Sequence, residues 1–205
     1  MCGIAAYFGK SQISPDRLTS TIKALSHRGP DGNGIHYVEL QNNIIQLIHT
    51  RLSIIDLDSR SDQPWVEGND ILIFNGEIYN YIEIRDQLKK QGYRFSTQSD
   101  TEVLSKALRC WGTSAFDYLE GMWALIWYDA RNRQMIVSRD RFGEKPLYFT
   151  RYKSNYYFAS ELGALFQLVD KPLEINQQQI FRYLVNGYKS LNKTTEEFYK
   201  NVSQV

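Results

Sequence analysis

The sequence predicts a mixed α+β fold built in layers, and three observations carry that expectation. Strand-like and helix-like segments are interleaved through the 205 residues, with no repeat or low-complexity linker dividing them. MWALIWYD, residues 122 to 129, is apolar at both parities, so as a strand it must be covered on both faces. With 42% hydrophobic and 14% aromatic residues, the chain can bury one substantial core, which makes a single domain the default.

The elements follow in chain order. Ser14-Pro15 opens a helix as N-cap and N1, with Leu18, Ile22 and Leu25 recurring on one face. HRGPDGNG, residues 27 to 34, has the composition of a sharply turning loop. Strands are expected at IIQLI (44 to 48) and ILIF (71 to 74), the second ending at Asn75-Gly76. A helix begins near Asn80, carries Tyr81, Ile84 and Leu88 on one face and stops at Gly92. Ser99-Asp100-Thr101-Glu102 fits a capping box that starts a third helix. MIVS (135 to 138), LYFT (147 to 150) and YYFA (156 to 159) read as strands, followed by an amphipathic helix near Asn176 to Leu184. Beyond Asn186 the pattern fades.

Charge narrows the function classes. Twenty-four basic residues against 23 acidic ones, with no long run of either sign, give nothing that steers the chain toward nucleic acid or an anionic membrane. Cys2 and Cys110 cannot make a disulfide framework, no signal peptide is visible, and no apolar run approaches the roughly 20 residues of a membrane-spanning helix. A cytoplasmic protein with a small-molecule or protein partner is expected.

The candidate chemistry starts at MCGIAAYFG, residues 1 to 9. Once Met1 is removed, Cys2 carries both a thiol and a free α-amine with a reference pKa of about 7.7 to 8.0, near enough to neutrality to serve as general base. FNGEIYNY, residues 74 to 81, offers the Asn75 amide and the Gly76 N–H as a pair of oxyanion donors, although Asn-Gly taken alone reads by preference as a hairpin turn. Arg51 in HTRLSIIDL can grip a carboxylate with two parallel hydrogen bonds, or stand solvated on the surface. Asp100, at a helix start, can receive an ammonium group or be an ordinary first-turn aspartate. Arg139, Asp140, Arg141, Glu144 and Lys145 of RDRFGEKPLYF read as a structural strand end and turn.

CGIAAYFG, HRGPDG, HTRLSIIDL, FNGEIYNY, SDTEVL, GMWALIWYD, RDRFGEKPLYF and FASELGAL stand in the order and spacing of the class II glutamine amidotransferase domain of glutamine-hydrolysing asparagine synthetases, which the chain resembles over nearly its whole length. The resemblance implies an N-terminal-nucleophile fold, a four-layer αββα sandwich of two antiparallel sheets, over residues 1 to 190, with 191 to 205 a linker or the start of a synthetase domain. It implies Cys2 as nucleophile, Asn75 and Gly76 as the oxyanion hole, Arg51 on the α-carboxylate of L-glutamine, Glu77 and Asp100 on its α-ammonium, and backbone around Ile54 and Ile55 lining the pocket. It implies no metal or cofactor for this domain, and ATP with Mg for a synthetase domain or subunit, whose pyrophosphate-gripping Ser-Gly-Gly-x-Asp-Ser loop does not occur in these residues. It places RDRFGEKPLYF toward that second domain and the ammonia path, and leaves a homodimer open. Two other readings stand beside hydrolysis of glutamine: a silent glutamine-binding or subunit-interaction domain, and an N-terminal-nucleophile hydrolase of another amide.

Overall fold

A computed structural model describes residues 1 to 169, 171 to 187 and 197 to 205. Ten strands among these residues form two antiparallel sheets. In chain order they are β1 (Gly3–Gly9), β2 (Gly32–Glu39), β3 (Ile44–Arg51), β4 (Trp65–Glu67), β5 (Asp70–Ile78), β6 (Gly121–Asp129), β7 (Gln134–Arg139), β8 (Tyr148–Tyr152), β9 (Asn155–Ala159) and β10 (Val202–Gln204). The larger sheet runs β10-β8-β9-β1-β3-β2 and the smaller β4-β5-β6-β7. The helices are α1 (Pro15–Leu25), α2 (Tyr81–Lys90), α3 (Asp100–Trp111), α4 (Leu162–Leu168) and α5 (Gln177–Asn186).

Period-2 alternation sorts the strand side chains into three apolar layers. Ile4 and Ala6 of β1, Ile45 and Leu47 of β3, Ile71 and Ile73 of β5, and Ala124 and Ile126 of β6 meet between the sheets. The opposite parity of the small sheet, Leu72, Phe74, Leu125 and Trp127, packs on Ile84 and Leu88 of α2 and Val103, Leu104 and Leu108 of α3. The opposite parity of the large sheet, Ala5, Tyr7, Ile48 and Tyr157, packs on Leu18 and Leu25 of α1 and Leu165 and Leu168 of α4. The result is the expected αββα sandwich, with β6 covered on both faces as MWALIWYD requires.

Several elements differ from the sequence expectation. The loop at 27 to 34 gives way to β2 at Gly32, whose partner is Arg51. Strand β5 does not stop at Asn75-Gly76 but continues to Ile78, with Asn75 opposite Ala124 and Gly76 opposite Trp123. The capping box is half made. Ser99 caps α3 by accepting from Thr101 N, whereas the Glu102 carboxylate turns to Ser96 N and Thr97 N. Val202–Gln204, within the stretch expected to be a linker or further domain, pairs with β8, and Val202 is buried. The expected boundary between 190 and 191 lies outside the described residues.

Candidate active site

Following the inter-sheet face along the strands in steps of two, the apolar residues yield at one end of the sandwich to polar ones on β3 and β5, to the Cys2 thiol ahead of β1, and to a methionine on β6. Ile4 leads back to Cys2, Leu47 to His49 and Arg51, Ile73 to Asn75 and Glu77, and Ala124 to Met122. Of these, Cys2, Arg51, Asn75, Glu77 and Met122 line one cavity of about 170 Å³. Its other walls come from Met1, Leu52, Ile54, Ile55 and Ser61, from Gln63, Phe74 and Gly76, from Ser99, Asp100 and Thr101 at the start of α3, and from Lys145. Every site residue expected from the sequence therefore faces a single cleft.

Strand β5 supplies two donors there. Phe74 N donates to Gln63 Oε1 and Ile78 N to Asp100 Oδ2, so the even-numbered amides of this stretch point away from β6. By the same alternation Gly76 N–H points to that edge, into the cleft. Gly76 is needed for closeness rather than for an unusual turn: its φ is ordinary, but a Cβ would stand 2.2 Å from Met122 O and 2.8 Å from Trp123 Cα. Asn75 is 1% exposed, and its Nδ2 has no hydrogen-bond partner among the described residues. A buried amide donor without a partner carries the full desolvation cost of a lost hydrogen bond, about 1 to 3 kcal/mol.

Cys2 Sγ accepts from Leu52 N at 3.4 Å and lies 3.6 Å from Leu52 O. Burial raises the thiol's pKa. The Leu52 amide, the N-terminal ammonium and Arg51 pull it down, and Asp100 pushes it up. The thiol is therefore mostly protonated near neutrality and needs a base. Arg28, from the HRGPDG motif, holds the Cys2 backbone by donating Nε to Cys2 O at 3.0 Å, and is itself paired with Glu161 at 2.9 Å. The sequence carries no signal that assigns Arg28 this part, because nothing in the spacing brings residue 28 beside residue 2.

The Arg51 guanidinium is partly engaged within the protein. Arg51 donates Nη1 to Asp58 O at 2.9 Å and to Asp62 Oδ1 at 2.6 Å, and Nη2 to Asp56 O. Among the described residues this leaves Nε–H and one Nη2 hydrogen unused. Burial raises the Asp100 carboxyl to about 6; the Ile78 and Thr101 amides oppose that, and the Glu77 charge adds to it. No group of three or more His, Cys, Asp or Glu among the described residues is placed to hold a metal ion, and no described helix is long and apolar enough to cross a membrane.

The whole chain, residues 1 to 205, matches the family model described as "Glutamine amidotransferase domain". Asparagine synthetase [glutamine-hydrolyzing] 1 of Bacillus subtilis is 35% identical over 190 residues, 90% of this chain and 29% of that protein. A putative asparagine synthetase [glutamine-hydrolyzing] 2 of Methanocaldococcus jannaschii is 32% identical, covering 92% of this chain and 40% of its own. The chain thus spans between 29% and 40% of the length of these two relatives. Among solved structures, the glutamine phosphoribosylpyrophosphate amidotransferase of B. subtilis, complexed with ADP and GMP, superposes with a TM-score of 0.67 at 23% identity, over 82% of this chain and 43% of that one. That last likeness is one of fold.

Proposed function

This chain belongs to the glutamine amidotransferase domain family, and from that premise we propose that its cleft hydrolyses L-glutamine to glutamate and ammonia, with Cys2 as the nucleophile. The observation that carries the reading is the buried, unpartnered Asn75 Nδ2 in the same cleft as Cys2 Sγ. A donor that costs stability at rest is repaid when an oxyanion forms against it.

Arg51, through its unused donors, receives the substrate's α-carboxylate, and Glu77 with Asp100 receives its α-ammonium, beside backbone around Ile54 and Ile55. The α-amine of Cys2, freed by loss of Met1, takes the thiol proton as Sγ attacks the carboxamide carbon. Asn75 Nδ2 and Gly76 N–H hold the oxyanion. Collapse breaks the C–N bond, the amine passes its proton to the leaving nitrogen, and ammonia departs from a γ-glutamyl thioester. Water then adds to the thioester, its proton moves through the amine to the sulfur, and glutamate leaves.

The names of the relatives favour an ammonia-consuming synthetase domain or subunit as partner, one that uses ATP and Mg to activate an aspartate-like acid. The described residues offer neither a pyrophosphate loop nor an acidic cluster for that chemistry, so no step here runs through ATP. On this reading residues 1 to 190 supply the catalytic part of the glutaminase unit, and β10 at Val202–Gln204 completes its larger sheet. A chain that retains Met1 has its amine tied up as an amide and binds glutamine without turning it over.

Glutamate release by protein whose intact mass shows Met1 removed tests the proposal. Cys2→Ala should abolish turnover while glutamine binding persists, because the charged clamp is untouched. Normal turnover by that variant would remove Cys2 from the mechanism.

A further inference from the structure

The RDRFGEKP segment is more than a turn. Asp140 organises it from inside: Oδ1 accepts from Phe142 N at 3.1 Å and Glu144 N at 2.9 Å, and Oδ2 accepts from Trp123 N at 3.2 Å and Lys145 N at 3.0 Å. Arg139 braces it from outside, donating Nε to Lys145 O at 2.6 Å, Nη2 to Gly143 O and Nη1 to Gln204 Oε1 at 2.6 Å. Both backbone polar groups of Lys145 are thereby fixed, and its side chain is aimed into the cleft.

Lys145 is 6% exposed and lines the same cavity as Cys2. Its Nζ reaches no carboxylate among the described residues, and the contact it makes is to Met1 Sδ at 3.3 Å. The other cations near Cys2 are neutralised, Arg28 by Glu161 at 2.9 Å and Arg51 by Asp62 at 2.6 Å. A cation that lines the cleft without an ion-pair partner among the described residues, held by a frame this closely bonded, points to function.

Met1 is the residue whose loss frees the nucleophile's amine. Its sulfur is the atom that Lys145 Nζ contacts, and Met1, Cys2 and Lys145 all line the one cavity. We propose that Lys145 is a positioning residue for the N-terminal nucleophile: once Met1 is gone, its ammonium faces the α-amine of Cys2 and keeps that amine unprotonated, ready to act as base. The inference rests on the glutaminase reading above.

The charges facing the amine from the surrounding elements decide the sign. Glu77 on β5 and Asp100 on α3 favour an ammonium at Cys2, and paired Arg28 and Arg51 offset them only in part. Lys145 supplies the missing repulsion. Removing it lets the α-amine stay protonated to higher pH, so the acid limb of kcat/KM moves upward by about one pH unit.

The test is the pH profile of kcat/KM for glutamine in wild type, Lys145→Gln, Lys145→Met and Lys145→Arg, each with Met1 removal verified by intact mass. Both neutral variants should shift the acid limb up by about one unit, and the arginine variant should retain the wild-type limb. The KM for glutamine above the limb should not change. Where a variant is too slow to profile, titrating the ¹⁵N resonance of the Cys2 α-amine reads the same shift. An unmoved limb and an unmoved amine titration, with activity lowered equally at every pH, would overturn the proposal and leave Lys145 as scaffold. Failure of the parent reading looks different: wild type freed of Met1 then forms no glutamate at any pH.

Discussion

A single amide group separates a binding pocket from a catalytic one in this cleft. Asn75 Nδ2 is buried and without a partner among the described residues, so on the proposed mechanism its hydrogen bond is made only when negative charge arrives. Asn75→Ala should therefore lower kcat by ~10² to 10³ with little change in glutamine affinity. Steady-state kinetics check this, and a change confined to KM would make Asn75 a binding residue. Asp100 should behave in the opposite way, because on the proposed reading its charge acts in the ground state. With burial raising its carboxyl to about 6, it is ionised at neutral pH and loses its charge as the pH falls through 6. The KM for glutamine should rise below that pH, and Asp100→Asn should show a high KM with that dependence abolished. An identical KM profile in the two proteins would separate Asp100 from ammonium binding.

At the scale of elements, the start of α3 shows what propensity can and cannot reveal. Ser99 was legible as an N-cap because Ser-x-x-Glu is a local signal. The real bonds of Glu102 were not, since the loop it binds is held in place by tertiary contacts. Its carboxylate accepts from Ser96 N at 2.9 Å, Thr97 N at 2.7 Å and Thr97 Oγ1 at 2.7 Å, and it lies 3.4 Å from Lys106. Burial pushes its pKa up, but the Ser96 amide, the Thr97 hydroxyl and amide, and Lys106 together bring it below the usual value. Glu102→Gln should lose about 2 kcal/mol or more of stability at pH 7, as hydrogen bonds to a charged group are worth about 1.5 to 3 kcal/mol each. The loss should shrink as the pH falls from the carboxyl's unfolded pKa through its lowered folded pKa, below which the wild-type charge is gone; urea unfolding at several pH values measures both. Asn75-Gly76 taught a similar lesson. The pair is a hairpin signal by composition, yet Gly76 is required mid-strand because β6 passes too close for a Cβ. Strands β4 and β10, of three residues each, carry no periodicity to read. The residues of the candidate cleft can be picked out in the sequence because they stand in ordered motifs, whereas Lys145 reads as a turn residue and only the Asp140 frame shows that it lines the same cavity.

For the molecule as a whole, the cleft exists because the inter-sheet layer is apolar at one end and polar at the other, and that gradient has a titration signature. His49 stands on the inter-sheet face between Leu47 and Arg51, fully buried, and burial lowers its pKa to about 3, with Arg51 adding to the effect and the Phe74 backbone opposing it. The unfolded chain therefore binds a proton at His49 between about pH 6.5 and 3 that the folded protein refuses, and stability falls as the pH drops through that window. Asp100 has the reverse sign. Its folded carboxyl, at about 6, holds a proton that the unfolded one has released above about pH 4, so its contribution rises as the pH drops from 6 toward 4. Each group changes the unfolding free energy by about 1.4 kcal/mol per pH unit inside its window. Where the windows overlap, between about pH 4 and 6, the two slopes cancel. Replacing one group exposes the other. His49→Gln should gain stability on acidification from pH 6 to 4.5 relative to wild type, and Asp100→Asn should lose it, each by a slope of about 1.4 kcal/mol per unit. Urea unfolding of the three proteins across that range reads the slopes directly. Parallel curves for wild type and His49→Gln would mean that His49 takes up its proton in the folded protein, and that water reaches deeper between the sheets than the burial of residue 49 allows.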